Sequence, residues 1–400
     1  MSSLMFYCHN VSGLGHIVRS LQIATAARRL GASECVIVTG CNHLRHVSVN
    51  PGLRLEQLPP LRKDGWQFKA TDPALAGVDA LKLRAGIILS ICRRERPDAV
   101  LVDHSPLGLG NELLPTLTAA AEEGWPTRFV WGIPYFSRSA LISPARPPGN
   151  PAIARAIAHY SSAVAYVDQQ EVDVFSKFKP WVLPAKTKYV GFVAETPSSL
   201  GDMSQGLVAI TCGGGTFAVE VCQLVLAARE RLGGSEAVRL RILTGPMADS
   251  AAVAQALEGR HGVELWMTGH THDAIRDAAA VVSCAGYNNA ALLLRIGLPV
   301  VFLPVSDDQR DRTASIASLP GVWTLDPNAV NAVDLAVDAL REALACGRVA
   351  RCSDWDFNGA DAAARWLLDE ASDSTHPRRS QTNKSVFEFD STALQAGGGR

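Results

Sequence analysis

Four hundred residues exceed one ordinary core and suit two α/β domains with a tail to spare. A formal net charge of −1 and a pI of about 6.8 supply no global field for nucleic acid or any other polyanion. The 47% apolar content and mean hydropathy of +0.08 belong to a soluble globular chain, and the longest apolar region, Ala290 to Val305, is broken by Arg295, Gly297, Pro299 and Pro304, which excludes a membrane span.

The nine cysteines include no C-x-x-C pair, and several lie inside apolar runs, as expected of reduced, buried thiols in a cytoplasmic protein. The N-terminus has neither a basic leader nor a long apolar stretch and reads as a folded strand. The basic clusters Arg93-Arg94-Glu95-Arg96 and Lys177 to Lys188 read as solvated faces, with membrane-surface association the lesser alternative.

Strands and helices alternate along the chain. Leu4 to Cys8 is a short buried strand, Ile17 to Leu30 repeats apolar residues at helical spacing, and Cys35 to Gly40 is a second strand. A loop then runs to about Asp72, a helix through Arg94, a strand over Ala99–Asp103, a helix around Pro115 to Glu123 and a strand over Arg128–Trp131. The proline-rich segment from Ser143 to Pro151 is a loop, Ala163 to Val167 a strand, and Tyr189 to Val193 the strand that closes the first half. Residues 195–206 are polar and aperiodic and read as a linker between domains at 1–194 and 207–371. In the second half, strands are expected over Leu207–Thr211, Val238–Thr244, Val263–Trp266 and Ala280–Cys284, with helices from Phe217, over Ser250–Leu257 and around Ala360 to Glu370. Residues 372–400 turn polar, end in a glycine run and read as a disordered tail. This alternation predicts an α/β fold of two Rossmann-like parallel-sheet domains facing a cleft.

The run Gly13-Leu14-Gly15-His16-Ile17-Val18-Arg19 joins the first strand to the first helix and sets an imidazole on the turn. Glycines there let a ligand approach the backbone, and the free amides of the helix start face whatever lies outside the sheet. As a dinucleotide fingerprint the run fails, because it is G-x-G-H and not G-x-G-x-x-G, and no acidic residue clearly ends the second strand. The second half repeats the arrangement: Gly213-Gly214-Gly215-Thr216 follows one strand, Gly286-Tyr287-Asn288-Asn289 another, and each opens a helix. Two helix N-termini aimed at one crevice can hold a diphosphate through backbone amides with no metal, although glycines also simply make tight βα turns. His270 and His272 with Asp273 lack a spaced third metal ligand, and a helix start capped by Asp273 explains them more cheaply.

At Gly13–Arg19, Val102 to Leu109, Ile210 to Thr216, Thr244-Gly245-Pro246, and Ser283 to Pro304 with Asp308-Gln309, the chain resembles the GT-B glycosyltransferases, nearest the MurG-like branch. The resemblance spans about residues 4 to 368. It implies that the C-terminal half grips a nucleotide sugar and the N-terminal half receives the acceptor. Gly286, Tyr287 and Asn288 would then cradle the diphosphate, Asp308 and Gln309 would meet sugar hydroxyls, and the backbone at Met267 and Thr268 would meet the nucleobase. Where the family carries a glutamate for the ribose hydroxyls this chain has Leu292, which leaves the choice between uridine and thymidine nucleotides open.

Glycosyl transfer needs a base for the acceptor proton and charge stabilisation for the departing diphosphate. An imidazole, which ordinarily titrates near 6.5, suits the first task at His16. Asp103 ends a strand of the same domain and can fix the imidazole tautomer, or instead cap the next helix. Arg19 shares the helical face of His16 and is a candidate for neutralising phosphate, or a surface arginine, while His9 and His104 lie at strand ends near the same crevice and are possible substitutes for His16. The expected activity is an inverting, metal-independent transfer from a nucleoside diphosphate sugar to a small or lipid-linked acceptor, without cofactor. Richness in alanine, arginine and glycine fits a GC-rich bacterium, where such enzymes decorate secondary metabolites such as antibiotics. The G-x-G-H-x-x-R pattern also resembles the nucleotide-sugar hydrolase of the pseudaminic acid pathway, and a third alternative is a non-catalytic sugar-nucleotide-binding protein.

Overall fold

The computed structural model describes residues 2–11, 13–64, 67–134, 157–168, 186–195, 200–267, 269–349 and 354–372. Thr268, the proline-rich loop from Ser143 to Pro151, residues 196–199 of the expected linker and residues 373–400 of the expected tail lie outside them, while Ser372, given to the tail, belongs to the last helix.

In the first half, β1 (Ser3–Cys8), α1 (Gly15–Arg29), β2 (Glu34–Thr39), β3 (Arg54–Gln57), the hairpin of β4 (Leu61–Asp64) and β5 (Gln67–Ala70), α2 (Ala80–Glu95), β6 (Ala99–Asp103), α3 (Leu114–Glu122), β7 (Arg128–Ile133), β8 (Ser162–Ala165) and β9 (Lys186–Tyr189) follow in order. The second half holds β10 (Ser204–Thr211), α4 (Ala218–Arg231), α5 (Gly234–Ala237), β11 (Arg239–Leu243), α6 (Ser250–Leu257), β12 (Val263–Trp266), α7 (Thr271–Ile275), β13 (Ala278–Ser283), α8 (Tyr287–Ile296), β14 (Val300–Phe302), α9 (Asp307–Ile316), β15 (Val322–Thr324) and α10 (Ala332–Cys346), followed by α11 (Gly359–Ser372).

The strands form a seven-stranded sheet ordered β3-β2-β1-β6-β7-β8-β9 and a six-stranded sheet ordered β12-β11-β10-β13-β14-β15. Every pair in both is parallel, and the central strands are buried along nearly their whole length, as apolar strands covered by helices on both faces must be. In each sheet the strand order reverses direction at one place, between β1 and β6 in the first and between β10 and β13 in the second. A crevice opens outside the carboxyl ends of the strands at such a point. The glycine turns lie there, together with His9, Asp103 and His104.

Four expectations change. The segment from Cys41 to Asp72 is not all loop: it adds the edge strand Arg54–Gln57, and Leu61–Asp64 pairs antiparallel with Gln67–Ala70. The closing strand is Lys186–Tyr189 and not Tyr189–Val193. Val190 to Val193 are apolar for another reason, since Gly191 N–H and Phe192 N–H donate to Val167 and Asp356 carbonyls and the Phe192 ring stacks on Trp355 at 5.2 Å. Three residues given to the linker, Ser204 to Gly206, belong to β10. Finally, α11 does not pack with the second sheet that precedes it in the chain but returns to the first half, against α1, β1, β6 and β7.

Behind the crevice, Arg84 donates to Glu112 through Nε at 2.7 Å and Nη2 at 2.9 Å, and to the His9 carbonyl at 3.0 Å. Tyr7 Oη donates to the same carboxylate, and Arg84 and Glu112 are both 0% exposed. Glu112→Ala leaves a buried guanidinium without its counter-charge, so it should lower unfolding stability by about 3–5 kcal/mol in urea titration. A loss under about 1 kcal/mol would show that the pair does not brace this edge of the crevice.

Candidate functional site

The first crevice wall is built by the turn after β1. Asn10 has a left-handed backbone with φ of 28° and donates through Nδ2 to the Gly13 carbonyl at 3.1 Å, while Gly13, with φ of 74°, turns the chain into α1. The residue preceding α1, Leu14, has no side-chain cap, so the first amides of the helix are free of side-chain acceptors. One turn inside, His16 and Arg19 meet Asp103 from the end of β6.

Asp103 is 1% exposed. Arg19, at 2% exposure, donates to it twice, from Nε to Oδ1 at 2.9 Å and from Nη2 to Oδ2 at 2.7 Å. His16 Nδ1 lies 2.6 Å from Oδ2, and the His16 side chain is 24% exposed. Burial alone would push the Asp103 carboxyl up, but Arg19 and His16 outweigh it and hold the group well below the usual carboxylate range. An ionised carboxylate only accepts, so Nδ1 carries the hydrogen, and in a neutral ring Nε2 keeps its lone pair. Two expectations are corrected here. Asp103 caps no helix, and Arg19 is neither a surface residue nor free for a phosphate, because its guanidinium is held by Asp103 and lies 5.3 Å and 5.0 Å from the Tyr166 and Tyr287 ring centres.

The second wall comes from the other sheet. Gly213 and Gly215 have φ of 61° and 104°, and a side chain at Gly215 would strike the Ala248 amide at 2.6 Å. Gly286 starts α8 without a side-chain cap and has open space where a Cβ would stand. Tyr287 is buried, donating to the Tyr166 carbonyl at 2.6 Å and accepting from Val193 N–H at 2.9 Å, so its hydroxyl ties the halves together. Asn288 Nδ2 donates to the Gly15 carbonyl at 3.2 Å, and Gly214 sits so close to Gly13 that a Cβ would lie 3.1 Å from its Cα. Asn289 is turned inward, with Nδ2 3.4 Å from Thr211 Oγ1 and 3.5 Å from Ser283 Oγ.

Between the walls lies a cavity of about 600 Å³. Its lining includes Gly13, Gly15, Gly213, Gly214, Gly286, Tyr287, Asn288, Asn289, Leu292 and Gln309. Gly215, Thr216, Met267 and Asp308 are not part of that lining; Thr216 is exposed, Met267 accepts weakly from Thr244 Oγ1 at 3.4 Å, and Asp308 pairs with Arg312 at 2.9 Å. Gln309 Oε1 accepts from Val305 N–H at 2.9 Å. His16, Arg19 and Asp103 stand beside the cavity and not in its wall.

His9 and His104 join His16 in one cluster, with ring centres 4.6, 5.3 and 5.9 Å apart. Burial, then the His16 ring, lowers the pKa of both His9 and His104, which favours the neutral ring. By contrast His272 is buried at 6% exposure, and the residue that precedes its helix is His270, so Asp273 is no cap. Buried polar atoms without a hydrogen-bond partner gather around this crevice: His9 Nδ1, Asn10 Oδ1, His104 Nδ1 and Asn288 Oδ1. Such atoms are uncommon in folded proteins. Sequence alone places His9 and His104 at strand ends and Asn288 at a helix start but carries no signal for which atoms are left unpaired.

No family model matches the chain, and no curated protein matches it. Solved structures do. The glycotransferase of kitacinnamycin aligns at 15% identity and a TM-score of 0.55 over 92% of this chain and 99% of that one. MurG of Acinetobacter baumannii aligns at 13% identity and a TM-score of 0.55, with the same coverage of 92% and 99%. A protein of Listeria monocytogenes described as a UDP-N-acetylglucosamine 2-epimerase aligns at 14% identity and a TM-score of 0.57 over 91% and 90%. What these share with the chain is the GT-B fold, two Rossmann-like parallel-sheet domains.

The contrast between Arg19 and His16 is measurable by denaturant unfolding. Arg19→Met strands a buried carboxylate and should destabilise by about 3–5 kcal/mol, whereas His16→Ala, which leaves the Arg19 pair intact, should cost about 1 kcal/mol or less. Equal losses would contradict the division between a structural arginine and an imidazole that the fold does not depend on.

Proposed function

We propose that the chain is a glycosyltransferase that moves a sugar from a nucleoside diphosphate to a hydroxyl or amine of a small or lipid-linked acceptor, with inversion and without a metal on the diphosphate. The observation that carries this reading is the His16 imidazole, fixed by the buried Asp103 carboxylate beside a cavity onto which Gly286, at the uncapped start of α8, opens.

In this reading His16 Nε2 takes the acceptor proton as the acceptor atom attacks the anomeric carbon. The bond from that carbon to the diphosphate oxygen breaks on the opposite side, and its electron pair leaves with the nucleoside diphosphate. Asp103 stabilises the imidazolium that forms, as in a nucleophile-activating dyad. The amides at the start of α8 and at Gly213-Gly214 meet the departing negative charge, each such contact contributing on the order of 0.3–1 kcal/mol or more when partly buried. Asn288 and Gln309 line the cavity within reach of a donor, and the apolar Leu292 faces it where a ribose-binding carboxylate is otherwise expected, leaving uridine and thymidine diphosphates as alternative donors. Neutral His9 and His104 cannot stand in for the base as readily, because neither ring is paired with a carboxylate.

Two measurements test the proposal together. Uridine or thymidine diphosphate at 100 times its dissociation constant should stabilise the protein by about 2.7 kcal/mol in thermal unfolding, unchanged by magnesium. With the matching nucleotide sugar and an acceptor extract, wild type should release nucleotide, and His16→Ala should lower kcat by about 10²–10⁴-fold with nucleotide affinity retained. Stabilisation by no nucleotide would overturn the donor site, and full turnover in His16→Ala would overturn the base. Nucleotide release at the same rate without acceptor would assign the chemistry to hydrolysis.

A further inference from the structure

We infer that His9, His16 and His104 form a binding site for a divalent transition metal ion of the zinc class, at the crevice end of β1 and β6. The three residues come from the residue after β1, the first turn of α1 and the residue after β6, so sequence spacing conceals what the sheet order brings together. One ring nitrogen from each lies within 4.8 Å of the other two. Zinc bound to imidazole nitrogens at about 2.0–2.1 Å needs them about 3.3 Å apart in a tetrahedral set, so binding would draw the three rings together.

Two further observations favour an ion over a simple stack of rings. Nδ1 of His9 and Nδ1 of His104 are buried with no hydrogen-bond partner, an unfavourable condition that a cation would relieve. The third ring is already oriented as a ligand: Asp103 accepts from Nδ1 of His16 at 2.6 Å, which turns Nε2 outward in the carboxylate–imidazole–metal arrangement typical of such sites. The backbones are held as well. Arg84 donates to the His9 carbonyl at 3.0 Å, and His104, with a left-handed φ of 69°, is pinned by its amide on the Gly132 carbonyl and its carbonyl on Trp131 Nε1, both at 2.8 Å.

Three protein nitrogens leave a fourth position for water or an anionic ligand. Binding of the ion draws on the same Nε2 of His16 that removes the acceptor proton, so metal and transfer exclude each other. That consequence rests on the proposed function; the binding itself does not.

Cobalt(II), whose d–d absorption reports coordination, is the probe. Titrated into the full-length chain after chelator treatment, it should develop the visible bands of a four- or five-coordinate ion, saturate at one equivalent and be displaced by one equivalent of zinc. His9→Ala and His104→Ala should each weaken binding more than tenfold, with circular dichroism and thermal midpoint confirming that both variants fold. The absence of saturable binding in wild type, or undiminished binding in a folded His9→Ala/His104→Ala double variant, would overturn the site. Where nucleotide release is measurable, zinc should suppress it in wild type and not in His9→Ala. A protein that binds cobalt but releases no nucleotide keeps the metal site and loses the transferase reading.

Discussion

A carboxylate buried to 1% exposure is tolerable only beside a compensating charge, and at Asp103 that charge is Arg19. The consequences run through both halves. The pair locks the first turn of α1 to the end of β6, across the place where the first sheet changes direction. It also fixes what the two neighbouring polar groups can do: Arg19 is withdrawn from any ligand, and His16 is left with one committed nitrogen and one free. The face of the guanidinium then packs between Tyr166 of the first half and Tyr287 of the second, so the charge that makes Asp103 tolerable also helps seat α8.

The halves meet through backbone more than through side chains. Gly13 and Gly214 approach so closely that a side chain on Gly214 would crowd its neighbours, and Asn288 reaches the Gly15 carbonyl. Glycine at these turns therefore does two jobs, allowing left-handed conformations and letting the two turns share one narrow space. A ligand that enters between them meets amides first, which suits an anion. The polar atoms left unpaired at Asn10, Asn288, His9 and His104 lie around the same opening.

The parallel architecture was legible because central strands buried on both faces are continuous apolar runs, as Ala99–Asp103 is; the helix Ser250–Leu257 and the edge strand Val263–Trp266 also have the bounds their patterns indicate. Arg54–Gln57 was not legible, since an edge strand of R-L-E-Q carries no buried stripe. The hairpin at Leu61–Ala70 did carry a signal in its Asp64-Gly65 pair, a turn-forming dipeptide. Val190 to Val193 misled for the opposite reason, being buried by Asp356, Trp355 and Tyr287 and not by strand pairing. Helix α11 is amphipathic whichever sheet it covers, so its pattern could not say that it returns to α1. In the site, helical spacing placed Arg19 on the face of His16, but only the three-dimensional meeting with Asp103 distinguishes a buried ion pair from an exposed cation.

In the proposed function a nucleoside diphosphate binds between the glycine turns of the two halves. Amide hydrogen exchange of the full-length protein with and without uridine or thymidine diphosphate tests it most directly, because it reports where the backbone is engaged. Slowed exchange is expected to concentrate at Gly13–His16, Cys212–Thr216 and Gly286–Asn289, with little change on the outer helices. Protection elsewhere in the chain, with these three segments unaltered while the nucleotide is bound, would contradict it.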